Sequence, residues 1–573
     1  MNCRLGWDWA KVGGVEATNR NVTRRIMRVS KEVSSSVNSS RGPRSIHSRA
    51  AIALAALAIP ALTACGDPSR PVGQVGHVTG FGGMVAVDEP RAAILGRDVL
   101  SAGGTAADAA TAIYFTLAVT YPSTASLGGG GTCIVHDSGK KKTEVIDFPA
   151  IASTLSGPLP SAVPANPRGF FALHAKYGRL RWESLLTEPE RLARSGVPVS
   201  RALANDLARG LPVIGRDPVA RAVFMRADGS VLREGDVMQQ PQLAGMISTL
   251  RHNTGNFYVG PQARELIKAV QAAGGTLSLD DLRDIRPTWR DAVPVKVDSD
   301  TAWFAPPPSA GSTMAAQLVA ALWPRWSDAD AAERPHLLAE TSARAFGERA
   351  RWMRPTGWSD EAPASLVADS RIAAMMSGYA ADRHQPVTNV PTPPTDSQSG
   401  TAFAVLDADG TAVACSVTSH GLFGNGRMAP GTGIMLSGVP GLNGPPATAV
   451  MLSTNTYNGA IHFIGAASGG GTSALALTQS FLGVAKDNKP LSDALAQPRL
   501  VHAGNPDAVF VETGSITLDP APLQSRGHQI SATPMPSRVE AIYCPLGFKN
   551  SEGCDMATDP RGFGLATVAG KKE

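Results

Sequence analysis

The stretch SGTAFAVLDADGTAVACSVTSHGLFG, Ser399 to Gly424, constrains this 573-residue chain more than any other. Before it runs QPVTNVPTPPTDSQS, residues 385–399, rich in Pro, Thr and Ser and poor in large apolar side chains, a composition that makes an exposed tail. After Gly400 the text turns at once into an alternating apolar run that reads as a buried strand. Thr401 stands on the boundary. Its position allows two readings: a threonine that only opens a strand, or a nucleophile that becomes a new chain terminus when the chain is cut before it. A threonine hydroxyl is hardly ionised near neutral pH and needs a base within hydrogen-bond reach. A free α-amino group titrates at about 7.7–8.0 and would sit on the same residue, so one cut at Gly400–Thr401 would create nucleophile and base together.

Charge excludes some functions once it is divided along the chain. Residues 1–65 carry 10 Lys/Arg against 3 Asp/Glu, and the remainder carries 43 against 45. A near-neutral body without a basic stripe gives no support for a nucleic-acid partner. The basic start reads as an address. Arg41, Arg44 and Arg49 precede AAIALAALAIPALTAC, an apolar stretch too short to span a bilayer comfortably. It resembles a bacterial lipoprotein signal, in which Cys65 becomes the lipidated N-terminus and residues 66–80 a tether. The alternative is a plain secretory signal with Cys65 incidental. Both place the protein outside the cytoplasm, on the periplasmic face of a bacterial membrane or in the periplasm.

Export changes how cysteines are read. Cys544 and Cys554 flank PLGFKNSEG, a turn-forming segment that would bring them together, and a disulfide there stands beside free thiols as the two options. Cys133 and Cys415 lie in apolar runs, TCIVH and AVACSV, and read most simply as small buried side chains. No C-x-x-C pair and no histidine spacing matches a metal-ligand pattern, so neither a metal nor a cofactor is expected.

From Gly83 a short strand, GMVAV, leads into a helix from about Pro90 to Ala102, a Gly-Gly stop, and an Ala-rich helix opening near Thr105. Gly128 to Gly131 then enter another strand; a phosphate loop would need a Lys and a Ser/Thr at fixed offsets, and none follows. Taken with YGRLRWESLL, LARSGVPVS, FYVG, AAGGTLSLDDL, PPPSAG, HLLAETSARAF, FAVLDADGTAVA, FGNGRMAPGTGIML, ASGGG, AQPRL and DPRGFG, these pieces run collinearly from about residue 80 to 568. In that order they resemble the gamma-glutamyltransferase (gamma-glutamyltranspeptidase) family.

The resemblance implies an N-terminal-nucleophile hydrolase of mixed α/β (α+β) class, a four-layer αββα sandwich. One precursor would cut itself between Gly400 and Thr401 into a large part, 81–400, and a small part, 401–573, which stay together as a heterodimer of the chain's own fragments. It implies acyl transfer from a small-molecule or peptide amide to an amine or water, without a cofactor. Thr401 is then the nucleophile, Thr418 a second threonine that bonds it, and Gly469 and Gly470 the oxyanion donors. His420 and Thr448 fall at substrate-binding positions.

The chain departs from the family pattern near these sites. No histidine follows Thr401, and counting back without a gap from LDADG puts the nucleophile's place on Gly400; only a one-residue loss aligns Thr401. The arginine that would grip a glutamyl α-carboxylate is Pro149, the groups for its α-amino end are Val439 and Leu442, and a Ser-Ser pair is Thr448 and Ala449. Three functions remain open: an autoprocessed enzyme with a less polar acyl donor or a changed glutamyl pose, an inactive envelope lipoprotein that binds or supports, and the standard glutathione-degrading transpeptidase, which the lost clamp residues disfavour.

Overall fold

The computed structural model describes residues 80–387, 390, 399–514, 518–548 and 553–570. The export segment with Cys65, the tether and most of the tail before Ser399 lie outside the described residues. Short apolar runs form thirteen strands that matter here. In chain order they are β1 (Phe81–Val87), β2 (Gly130–Asp137), β3 (Lys142–Phe148), β4 (Thr288–Asp291), β5 (Val293–Val297), β6 (Asp300–Phe304), β7 (Thr401–Asp407), β8 (Ala412–Thr418), β9 (Ala449–Asn455), β10 (Ile461–Ser468), β11 (Arg538–Tyr543), β12 (Asp555–Thr558) and β13 (Leu565–Gly570). One sheet runs β13-β1-β7-β8-β2-β3-β4 and the other β12-β11-β10-β9-β6-β5. Neighbours in both are antiparallel.

Helices build the outer layers, among them α1 (Pro90–Ser101), α2 (Ala106–Thr120), α3 (Ala310–Trp326), α4 (Arg334–Trp352) and α5 (Ser473–Ala485). The start of α1 has proline at its first position and the Glu89 carboxylate accepting from the Ala92 N–H, so orphan donors are satisfied locally. At α2, Thr105 and Asp108 form a reciprocal capping box. All fifteen residues of α2 are buried, which small side chains allow: a Cβ on Gly96 of α1 would lie 2.6 Å from Ile113. The two helices therefore approach closely.

Period-two alternation in the strands separates three apolar layers. Phe403, Val405 and Val85 pack with Ile113 and Phe115 on the outer face of the first sheet. Ala402, Ala404, Leu406 and Met84 meet Leu452, Ile464 and Ala466 between the sheets. On the far side, Phe304, Met451 and Phe463 pack with Met314, Leu338 and Phe481 of α3, α4 and α5. Helix, sheet, sheet, helix is the four-layer αββα sandwich expected from the resemblance. Each fully buried side chain such as Phe403 contributes about 1.5–3 kcal/mol. No helix among the described residues is long and apolar enough to cross a membrane.

The cysteines correct one reading. Cys133 and Cys415 are not independent core side chains but a disulfide, joining residues 282 apart in sequence. The cause is register: β2 and β8 are neighbours in which Cys133 stands directly opposite Cys415, so both Cβ atoms leave the same face. A second disulfide joins Cys544 and Cys554. The long loop closed by Cys133–Cys415 removes much freedom from the unfolded chain. Replacement Cys415→Ser should lower stability by about 2–5 kcal/mol in equilibrium urea unfolding without reductant; an unchanged midpoint would show that the bridge is not formed.

Candidate active site

The site is built where β7 begins, at one end of the inter-sheet space. β7 pairs with β1 on one edge and β8 on the other, setting Thr401 opposite Val417. Thr401 is fully buried. Its hydroxyl donates to Asp88 Oδ2 at 3.1 Å, and the same oxygen accepts the Ala402 N–H at 3.1 Å and the Ser468 hydroxyl at 3.2 Å. Asp88 follows the last residue of β1, so one of the two strands paired with β7 also leads into its carboxylate.

Across from Asp88 stands Arg538, the first residue of β11. Its Nε donates to Asp88 Oδ1 at 2.8 Å, and its second amine group donates to the Gly400 carbonyl oxygen at 3.2 Å. The carbonyl and the hydroxyl on the two sides of the Gly400–Thr401 bond are thus held by opposite charges. Glu540 lies two residues along β11 on the same face, and Asp206 approaches with Ser123 as its donor at 2.7 Å. One guanidinium serves several carboxyls in a buried place, so the carboxyls cannot all ionise cheaply. Burial works to raise Asp88, yet Arg538 and the hydrogen bonds carry it below the usual carboxylate range. Burial, with the Asp88 charge, pushes Glu540 well up. Asp206 is also raised, chiefly by burial. Asp88 is therefore the ionised partner of Arg538.

The residues expected from sequence meet here in part. Gly469 adopts φ +109°, and a Cβ on it would fall 2.4 Å from Ser537 Cα, so that position requires glycine. Gly470 follows with φ +81° and opens the turn into α5, where N–H groups lack intrahelical partners. Ser468 ties this turn to Asp88 and hence to Thr401. Thr418 is buried, but its hydroxyl donates to the Ser399 carbonyl at 2.7 Å and accepts the His420 N–H at 3.0 Å, so the two threonine hydroxyls take separate partners. A side chain at Gly400 would start 3.6 Å from Ser468 Cβ, beside the glycine turn.

His420 is buried with neither ring nitrogen paired, and burial pushes its pKa down to about 4. It stays neutral at physiological pH. Thr448 bonds Ser309 hydroxyl to hydroxyl at 2.7 Å. Val439 is buried and Leu442 is 72% exposed, so these two do not form one clamp. Sequence reading missed Asp88, Ser468, Arg538 and Glu540. The one available signal was Arg538 and Glu540 in SRVEAIY, charges at alternate positions of an apolar strand.

The charge cluster makes a stability prediction. Asp88→Asn should cost about 3–5 kcal/mol in urea unfolding because it strands a buried guanidinium, whereas Asp88→Asn with Arg538→Met should cost less than the sum of the single changes. Additive losses would show that the two side chains are not coupled.

Comparison with known proteins fits this architecture. Residues 92–438 match the gamma-glutamyltranspeptidase family model. Glutathione hydrolase proenzyme of Pseudomonas aeruginosa is 27% identical over 540 residues, covering 85% of this chain and 94% of the relative. The Escherichia coli K12 glutathione hydrolase proenzyme is 26% identical over 502 residues, 78% of this chain and 86% of its own. With Glutathione hydrolase 3 of Arabidopsis thaliana the identity is 29% over 401 residues, 65% of this chain and 62% of that protein. Among solved structures, cephalosporin acylase from Bacillus halodurans superposes with a TM-score of 0.73 at 22% identity, over 88% of this chain and 99% of that one. Helicobacter pylori gamma-glutamyltranspeptidase gives 0.50 at 23% identity, over 56% and 97%; both likenesses speak for the fold alone. The match over more than half its length, on an αββα sandwich with Thr401 at the head of a central strand, makes this chain a member of the gamma-glutamyltranspeptidase family.

Proposed function

We propose that the chain is an exported, self-processing amide acyltransferase or hydrolase in which Thr401 is the nucleophile. The observation that carries this reading is the pair of contacts across one peptide bond: Asp88 on the Thr401 hydroxyl and Arg538 on the Gly400 carbonyl oxygen. The Thr401 oxygen attacks the Gly400 carbonyl carbon, and Asp88 receives its proton while Arg538 steadies the negative oxygen. Collapse expels the Thr401 nitrogen, which takes the proton back, and an ester joins Gly400 to the threonine oxygen. Water hydrolyses that ester to a Gly400 carboxylate and a free Thr401 amine. A carboxylate held below its usual range is a weak base, which suits a reaction performed once per chain.

In turnover the new α-amino group is the base, and the threonine oxygen takes the acyl group of a substrate amide. The Gly469 and Gly470 N–H groups serve as oxyanion donors, each worth about 3 kcal/mol. Thr418, His420 and Thr448 border the acyl and leaving groups. Glutathione hydrolase relatives favour γ-glutamyl peptides as the substrate class. Pro149, Val439 and Leu442 offer no partner for a zwitterion, which favours a less polar acyl group or a changed glutamyl pose. The large and small parts stay interleaved, and Cys65 carries the lipid anchor.

A second reading, an inactive relative that binds or supports at the envelope, is favoured by position: Gly400, without a hydroxyl, stands beside Ser468 and the glycine turn. One gel separates the two. If Thr401 is the nucleophile, the exported protein runs as one band without reductant, because Cys133 and Cys415 lie on opposite sides of the cut, and as two bands with it. N-terminal sequencing of the smaller fragment should begin at Thr401, and Thr401→Ala should stay whole. A wild-type chain that remains uncut under reductant removes the enzyme reading. The anchor has its own test: Cys65→Ser should move the protein from the membrane to the soluble fraction, and unchanged fractionation would remove the lipoprotein assignment.

A further inference from the structure

Histidines remote in sequence converge on α4, in the helical layer outside the second sheet. His336 is fully buried, and its Nε2 lies 2.8 Å from the Ala380 carbonyl. A carbonyl only accepts, so that nitrogen carries the proton and Nδ1 is left as a lone pair. Nδ1 stands 2.8 Å from His528 Nε2, and the other His528 nitrogen is buried without a partner. One turn further along α4, Glu340 places Oε1 3.7 Å from His528 Nε2 and 2.6 Å from His384 Nδ1. Arg344 holds the second Glu340 oxygen at 2.6 Å. His502 and Asp507 close the remaining side, with Asp507 Oδ1 3.1 Å from both His384 Nε2 and His502 Nε2.

Packing alone does not call for this arrangement. An imidazole nitrogen buried without a partner costs about 1–3 kcal/mol, and a core of ordinary apolar side chains would avoid it. Two sets of three residues, His336 with Glu340 and His528, and His384 with His502 and His528, each bring one donor atom per residue to within 4.8 Å of the others.

We propose that His336 Nδ1, His528 Nε2 and Glu340 Oε1 bind a divalent transition-metal ion of the zinc class, with water as the fourth ligand. Zinc–nitrogen bonds of about 2.0–2.1 Å in a tetrahedron set ligand atoms roughly 3.3 Å apart. The observed 2.8 and 3.7 Å separations bracket that spacing, so small side-chain rotations seat the ion. Two imidazoles and one carboxylate suit zinc, whereas calcium and magnesium prefer oxygen-only sets. The outer partners also fit: the Ala380 carbonyl fixes the His336 tautomer and Arg344 aims the Glu340 carboxylate. His502 is less suited as a ligand through Nε2, because its Nδ1 accepts the Gly504 N–H at 3.0 Å and the proton then sits on Nε2.

His336 and Glu340 precede the Gly400–Thr401 bond and His528 follows it. The ion therefore ties the two parts of the chain together, whether or not they are cut. Its role is structural and does not depend on Thr401 being a nucleophile.

The test uses the exported chain purified without a polyhistidine tag, stripped with a chelator and titrated with Co2+ and then Zn2+. One equivalent of Co2+ should produce the visible absorption of a four-coordinate site, one equivalent of Zn2+ should abolish it, and Zn2+ should raise the melting temperature. His528→Gln and His336→Gln should each weaken Zn2+ binding at least about tenfold. The wild-type titration decides even where a variant fails to fold. No stoichiometric uptake by the folded wild type, or uptake unchanged in a folded His528→Gln protein, overturns the site and leaves a hydrogen-bonded histidine cluster.

Discussion

Strand β7 is paired along both edges, by β1 and by β8, and this double pairing is the constraint on which the active end depends. A strand fixed on both sides cannot slide, because a one-residue slip would turn Phe403 and Val405 inward to the second sheet and Ala402 and Leu406 outward to the helices. Thr401 and Gly400 are therefore held at a fixed height above Ser468 and Asp88. The Cys133–Cys415 bridge fastens the same stack one strand further out.

Within that frame the charge of Arg538 organises the site. A buried guanidinium cannot shed its proton, so a carboxylate near it must ionise and the others must not. Asp88 takes that part because it touches Arg538 and also receives the Thr401 hydroxyl, the Ser468 hydroxyl and the Ala402 N–H. Glu540 and Asp206 are pushed toward their neutral forms. The same arrangement polarises the Gly400 carbonyl. Stability and the chemistry proposed for Thr401 thus rest on one ion pair, which couples the start of β7 in the first sheet to β11 in the second.

The fold was legible where a local rule acts. Thr105 with Asp108 signals a helix start through side-chain and backbone donors only three residues apart, and Pro90 and the Gly103–Gly104 stop bound α1 for the same reason. The αββα class came from the collinear motifs and not from composition, since a mixed α/β chain of this length has several ways to stack its layers. The candidate site was legible less completely. Thr401, Gly469 and Gly470 were marked by position and by glycine, whereas Asp88 and Arg538 carry no local signature. They are 450 residues apart, and only the pairing of β11 in the second sheet brings them together. Cys133 and Cys415 were misread for a similar cause: each looks like a small apolar side chain until the register of β2 and β8 sets them opposite.

By itself the sequence determined the near-neutral charge of the body, the strand that begins at Thr401 and the glycines of the turn before α5. Each of these follows from propensities and solvation that act over a few residues. Tertiary structure alone decided which cysteines pair, which carboxylate faces Thr401, that Thr418 turns to Ser399 and that histidines from four segments share one buried space. Those outcomes depend on strand register and on the cost of burying charge, which no window of sequence contains.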